Sequence, residues 1–213
     1  MRYSIITPSL IRPSLRKTCE SIEKQTNRDW EHIVMVDVPL ILYPEKRELI
    51  ESLTHPQRRF FRCGWAHKDY GNTCRYNAQE KATGDYFLYL DDDDTYADDR
   101  VLETLTCVTA PWATFPTIRW GSFYSVDPPG WNKTGSGMFM HRRGLGRWPC
   151  MAHHDEHKKF IEKVRPHHPN MQYRDRLYAA DGLLAEWLKD RFPYQRVNDR
   201  ALTIYDQKGA GKE

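Results

Sequence analysis

Four short apolar runs punctuate the first ninety residues, and between them lie stretches with helical spacing. Residues 3–7 (YSIIT) form a β-branched run that ends at Pro8. Pro13 then sits where a first helical turn tolerates proline, ahead of Leu15, Cys19 and Ile22 at helical intervals. Trp30–Val36 (WEHIVMV) predicts a second strand ending at Asp37, followed by a loop with Pro39 and a helix over residues 44–53. Residues 59–62 (RFFR) predict a short third strand. Gly71 opens the segment NTCRYNAQEKA, in which Cys74 and Ala78 lie one helical turn apart and Gly84 marks the stop. Residues 86–90 (YFLYL) predict the fourth strand. Strand and helix alternating at this interval predict a mostly parallel, doubly wound α/β sheet.

Beyond residue 98 the pattern changes. Pro111, Pro116, Pro128, Pro129 and Pro149 interrupt the chain, and strands expected over 117–126 and 137–141 read as antiparallel or mixed pieces of a smaller lobe on the sheet edge. Helices are expected over 151–164 and over 181–191, the latter with Leu183, Leu184, Trp187 and Leu188 as its apolar face. Residues 1–207 are expected to form one domain, with a ligand-binding half over 1–98 and a second half over 99–207. The polar end KGAGKE (208–213) reads as a tail or linker.

Composition narrows the class only in outline. A 213-residue chain with 39% hydrophobic and 29% charged residues is ordinary globular material that can bury a sizeable core. No apolar stretch reaches the roughly 20 residues of a spanning helix, and MRYSIITPSL is too brief for a signal-peptide core, so the expected location is cytoplasmic. Cys19, Cys63, Cys74, Cys107 and Cys150 are odd in number and contain no CxxC, which fits reduced thiols better than a disulfide framework or a zinc ribbon. A net charge of +3 does not imply nucleic acid, but mild positive charge around an acidic site suits an anionic substrate.

The acidic site is the run LDDDD that ends the fourth strand. Four consecutive carboxylates repel one another unless a cation joins them, and open α/β sheets bind ligands just beyond the carboxyl ends of their strands. Magnesium and manganese take one or two protein carboxylates together with phosphate oxygens. If Leu90 is the last buried strand residue, alternation places Asp91 and Asp93 on one face and Asp92 on the other. Asp93 is then expected on the metal, and Asp91 on a metal-bound water or a ribose hydroxyl. Asp94 is expected to cap the following turn.

These elements together resemble the inverting glycosyltransferases of family 2, which have the GT-A fold. The resemblance rests on YSIITPS, on the Asp ending VMVD, on GNTCRYNA, on Thr83–Gly84–Asp85–Tyr86 and on LDDDD, in that order and over most of the chain. It implies a mostly parallel central sheet with a smaller acceptor-side lobe, and transfer of a sugar from a nucleotide-sugar donor, with UDP expected, to a glycan, glycoprotein or other hydroxyl acceptor. By matching position it assigns a divalent cation (Mn²⁺ or Mg²⁺) to Asp91 and Asp93, with Asp92 in reach of the ribose. Asp37 falls on the uracil edge, and Thr7, Pro8, Asn72 and Arg75 on the nucleotide pocket. Asp181, in AADGLLAEW, matches the placement of the catalytic base; a carboxylate there could instead simply cap its helix. SGMFMHRR resembles the acceptor-side strand, which makes Trp131, His141 and Arg142 candidates for the acceptor or diphosphate pocket. The chain departs from the family where Asp37 is followed by Val38 and Pro39 rather than by an acid and a Gly-Ser turn.

Three rival readings compete. HHDEH at residues 153–157 satisfies the HxxEH pattern of some zinc peptidases, with His153 and His157 one helical turn apart, but lacks an evident third ligand. Asp91, Asp93 and Thr95 fit the DxDxT of haloacid-dehalogenase-type phosphatases, where the first Asp is the nucleophile; that motif normally follows a first strand, and here three precede it. A binding module for calcium or carbohydrate would use the acidic loop structurally.

Overall fold

The computed structural model describes residues 1–63, 67–130, 133–149, 162, 180–197 and 200–205, with the side chain of Leu42 also outside the description. The helix expected over 151–164, apart from the single helical residue Glu162, the HHDEH segment and the tail at 208–213 lie outside the described residues.

The first ninety residues fold as their pattern predicts. Strands β1 (Tyr3–Ser9), β2 (Trp30–Val36), β3 (Arg58–Arg62) and β4 (Tyr86–Tyr89) are joined by helices α1 (Leu15–Glu23), α2 (Pro44–Ser52) and α3 (Asn72–Lys81). All four strands run parallel in the order β4-β1-β2-β3. The chain therefore winds outward from β1 to β3 and returns to the other side of β1 with β4. That reversal between β1 and β4 is a topological switch point, and the crevice beyond the strand ends is where such sheets take ligands.

Side-chain alternation along β4 decides what packs where. Tyr86, Leu88 and Leu90 face one layer with Val101, Leu102 and Leu105, from α4 (Val101–Thr104) and the turn after it. Phe87 and Tyr89 face the other, against Cys74 and Ala78 of α3 and Leu184 and Leu188 of α5 (Ala180–Lys189). Helices cover both faces, so β1, β2 and β4 are buried almost throughout.

The second half completes the sheet and adds another. Strand β9 (Phe139–Arg142) pairs antiparallel with both β4 and β6 (Trp112–Thr114), and β10 (Tyr194–Arg196) lies parallel to β6 at the edge. A small second sheet follows the order β5-β11-β7-β8, built from Thr95–Tyr96, Thr203–Tyr205, Thr117–Arg119 and Ser122–Tyr124. The mixed lobe is thus present, but the strand expected over 117–126 is a hairpin. Trp120 (φ 51°) and Gly121 (φ 78°) make its turn, and β7 and β8 pair antiparallel across it. The strand expected over 137–141 begins two residues later, because Ser136–Met138 is a single 3-10 turn. Among the described residues, no helix is long and apolar enough to cross a membrane.

Glu31 and Gly84 hold β1, β2 and the approach to β4 in register. The buried Glu31 carboxylate accepts hydrogen bonds from Ser4 Oγ (2.6 Å), Thr83 Oγ1 (3.0 Å) and the Gly84 N–H (3.1 Å). A Cβ on Gly84 would stand 2.7 Å from the Ser4 nitrogen and 2.9 Å from the Arg2 oxygen, both backbone atoms that cannot yield without parting the sheet. Gly84→Ala is therefore expected to destabilise the protein by roughly 2–3 kcal/mol, lowering Tm by about 5–10 °C in a thermal melt. An unchanged Tm would mean that the strand end relaxes freely.

Candidate functional site

A cleft of about 550 Å³ opens at the switch point. It is lined by the ends of β1 (Pro8, Ser9) and β2 (Asp37), the start of α3 (Gly71, Asn72, Arg75), the acidic run 91–94, the stretch 133–138, Trp148, and Asp181 on the first turn of α5. The second sheet closes one side with Thr117, Arg119, Thr203 and Tyr205. Volume and position match a small-molecule site.

The acidic run divides its labour differently from simple alternation. The strand ends at Tyr89, and a turn closed by the Asp94 N–H on the Asp91 carbonyl (3.0 Å) rotates the four carboxylates apart. Asp92 turns inward: Oδ2 accepts from Ser9 Oγ (2.7 Å) and the Leu10 N–H (3.2 Å), and Oδ1 from Arg12 Nε (3.1 Å) and Nη2. Both oxygens are thereby committed to the loop after β1. That loop holds Ile11 at φ 55°, a conformation unfavourable for a β-branched residue, and the Asp92 bonds on either side of Ile11 hold it there. Asp92, expected within reach of a ribose, lines the cleft at its rim while both its oxygens hold this loop.

Asp91 and Asp93 line the cleft, as does Asp94. Asp94 is followed by a two-residue strand rather than a turn, and its carbonyl accepts from Thr18 Oγ1 of α1 (2.7 Å). Asp91 pairs with Arg75, and Asp93 lies 3.3 Å from Arg12. Burial, and beyond it the charges of Asp91 and Asp92, push the Asp93 carboxyl up to about 6 despite Arg12. Burial is the larger cause, and the neighbouring carboxylates add an excess of negative charge that Arg12 only partly offsets. Hard oxygen donors with that excess fit a magnesium- or manganese-type cation.

Arg75 is the hub of the opposite wall. Its guanidinium pairs with Asp91, donates from Nη1 to the Tyr70 carbonyl (2.7 Å) and lies 4.8 Å from the Trp148 ring centroid. Burial opposes its charge, but Asp91 and Asp181 more than restore it. Asn72 Oδ1 in turn accepts from Trp148 Nε1 (2.9 Å), fixing the indole over the arginine. The helix carrying both residues begins at Gly71 (φ 74°), where a Cβ would lie 2.6 Å from Pro8 Cβ. The cap comes from Asp69, whose Oδ2 accepts from the Thr73 N–H (2.8 Å) and Thr73 Oγ1 (2.6 Å).

Asp181 joins the same cleft from α5. Burial raises its carboxyl to about 6 and Asp91 adds to this, while the Gly182 N–H (2.7 Å from Oδ1), Arg75 and the Ser136 N–H pull the other way. A carboxylate poised there can hold or release a proton near neutral pH.

At the far end of the cleft, Asp37 Oδ1 accepts from the backbone N–H of His67 (3.2 Å) and meets its Nδ1 at 2.9 Å. No sequence pattern singled out His67. Its only signal was a position in the loop between β3 and α3, where ligand-binding residues gather.

Three expected site residues belong elsewhere. Thr7 is fully buried and lies outside the cleft lining, 3.0 Å from His32 Nε2. Because His32 Nδ1 accepts from Arg58 Nε (2.9 Å) and burial keeps the ring neutral, Nε2 carries the proton and donates to Thr7. His141 is also fully buried, within an aromatic cluster. Its Nδ1 donates to the Arg142 carbonyl (3.0 Å) and its Nε2 accepts from Tyr89 Oη (2.8 Å); burial lowers the imidazole to about 4. Arg142 pairs in register with Tyr86, at the end of β4 remote from the acidic run, and donates to Tyr86 Oη (2.8 Å) and the Thr109 carbonyl (2.9 Å). Trp131 lies outside the described residues.

A largely parallel sheet whose switch point carries an acidic turn opposite basic side chains defines a doubly wound α/β domain with its cleft at the strand ends. Within that class, the chain belongs to the family described as Glycosyl transferase family 2, whose model matches residues 4–178. Among solved structures it is similar to S. aureus TarS 1–349, with a TM-score of 0.63 and 15% identity over 96% of this chain and 60% of that one. It is likewise similar to the mannosyltransferase PcManGT from Pyrobaculum calidifontis in complex with GDP-Man and Mn²⁺, with a TM-score of 0.59 and 14% identity over 98% of this chain and 58% of that one. The chain thus spans about 60% of the length of these structures. The likeness establishes a GT-A fold, with its largely parallel sheet and small second sheet. No curated protein matches the sequence. The family match leaves the phosphatase reading of Asp91 and Asp93 without support.

Proposed function

We propose that this chain transfers a sugar from a UDP-linked donor to a hydroxyl of a glycan or glycoprotein by metal-dependent single displacement, with inversion at the anomeric carbon. The observation that carries the reading is one cleft holding both an acidic turn with excess charge and a separate carboxylate, Asp181, raised to about 6. TarS 1–349 has been solved with UDP and with UDP-GlcNAc, and PcManGT with GDP-Man and Mn²⁺, which supports a nucleotide-sugar donor.

Asp91 and Asp93 would hold a divalent cation, which supplies positive charge against the departing diphosphate. Arg12 fixes the acidic turn from below, and Arg75 orients Asp91 while adding a second positive charge nearby. Asp37, with His67 on its Oδ1, addresses the base, and Pro8, Gly71 and Asn72 line the nucleotide end. Asp181 accepts the proton that the acceptor hydroxyl loses as the new bond forms. Residues 1–98 thus supply the donor side, and residues 99–207 supply the base and the acceptor side, where Arg119, Lys133 and Tyr205 line the cleft.

The test is UDP release from a panel of UDP-sugars with manganese, with and without acceptor glycans. At least one donor should give release that requires metal and is lost in Asp181→Asn. Phosphate release from phosphomonoesters, with no UDP release from any donor, would contradict the assignment.

A further inference from the structure

We propose a second metal site, separate from the acidic turn, in which Asp37, Cys63 and His67 bind a borderline-soft divalent cation of the zinc type.

The three residues offer a carboxylate oxygen, a thiol sulfur and an imidazole nitrogen, all within 4.8 Å of one another. In a tetrahedral zinc site, neighbouring donor atoms stand about 3.3–3.8 Å apart, so the existing cluster needs only small side-chain adjustments. The backbone already converges: Cys63 directly follows β3, its N–H donating to the Val36 carbonyl (2.9 Å) beside Asp37, and the His67 N–H reaches Asp37 Oδ1. Asp37 and His67 Nδ1, 2.9 Å apart, hold a proton where a cation would sit.

The sulfur is prepared for the anionic form that metals require. Asn77 Nδ2 donates to Cys63 Sγ (3.5 Å), and the buried Cys74 thiol serves as a second donor. Both contacts place hydrogen-bond donors on the Cys63 sulfur, where they favour a thiolate. His67 is partly exposed, which leaves a route in from solvent and room for water as a fourth ligand.

Binding would form three bonds, to oxygen, sulfur and nitrogen; the Cys63 thiol proton goes to solvent, and the proton on His67 Nδ1 goes to solvent from an imidazolium or shifts to Nε2 in a neutral ring. A thiolate selects zinc-like ions over manganese or magnesium, so this site and the acidic turn would take different metals. An ion here would tie the end of β2 to the loop after β3. The site shares Asp37 with the base contact proposed above, but its test contains no nucleotide, so its failure and the failure of the nucleotide reading are distinguishable.

The probe is Co²⁺ titrated into the reduced, metal-stripped full chain. One equivalent should produce an intense thiolate-to-cobalt band in the near ultraviolet with tetrahedral bands in the visible, displaced by Zn²⁺ but not by excess Mn²⁺. Cys63→Ser should abolish the thiolate band, and His67→Gln, a change at a partly exposed position, should weaken affinity at least about 100-fold. Cys107→Ser, which removes an exposed thiol, and Asp93→Asn should leave the spectrum unchanged. Far-ultraviolet dichroism of each variant establishes that it folds. No thiolate band in the wild type, a band that survives Cys63→Ser in the folded variant, or displacement by Mn²⁺ would overturn the proposal.

Discussion

Asp181→Asn is expected to lower kcat by about 10²–10⁴ while leaving UDP binding intact, because it removes the proton acceptor without touching the donor side. The same substitution is expected to stabilise the fold above neutral pH. Asp181 titrates near 6 in the folded protein and near 3.8 ordinarily, so between those values the folded state holds more protons than the unfolded state. Stability therefore falls as pH rises through that window, and the penalty is full above about 6. Asparagine carries no such penalty. After allowance for partial exposure to the cleft, the variant should gain up to about 2 kcal/mol at pH 7.5 and nothing near pH 3.5. Thermal melts at both pH values, alongside turnover, check this. A cap-only Asp181 would show the reverse: turnover near wild type and a lower Tm.

The second large effect falls on the acidic turn. Asp93→Asn should reduce kcat/KM by roughly 10³ or more, a loss of several kcal/mol of charge stabilisation at the departing diphosphate. Asp92→Asn should behave differently although it is the adjacent residue. It loosens the bonds to Ser9, Leu10 and Arg12 that hold the Ile11 loop, so its main cost should appear as a lower Tm and a higher donor KM. Steady-state kinetics and melts of the pair separate a ligand-facing carboxylate from a structural one. Equal effects of the two substitutions on kcat and on Tm would contradict that division.

The contrast between Asp92 and Asp93 also shows where sequence reading reaches its limit. The parallel half of the sheet was legible because β1, β2 and β4 are buried on both faces and read as largely apolar or β-branched runs ending near Pro8, Asp37 and Asp91. The second half was not, because β6, β7, β8, β10 and β11 have only three residues each, too few to show a period. Alternation failed at the acidic run for a specific reason: the strand stops at Tyr89, and a turn has no period of two.

Among the candidate site residues, Pro8, Asp37, Asn72, Arg75, Asp91 to Asp93 and Asp181 converge on the cleft because the fold places strand ends and helix starts together there. Thr7 and His141 read as polar candidates, but each satisfies its hydrogen bonds inside the core, one on His32 and the other between Tyr89 and Arg142. A buried polar residue and a site residue look alike in sequence, since the difference lies in partners from distant segments. His67 was missed for the same reason: its partner Asp37 is thirty residues away.

As proposed, the cleft binds uridine diphosphate through a cation held by Asp91 and Asp93. Calorimetric titration of UDP, GDP and CMP into the wild-type chain, with and without manganese, tests it most directly. UDP should bind tighter than GDP or CMP, and manganese should strengthen it at least about tenfold, a gain that Asp93→Asn abolishes. UDP affinity indifferent to both manganese and Asp93→Asn would contradict the account.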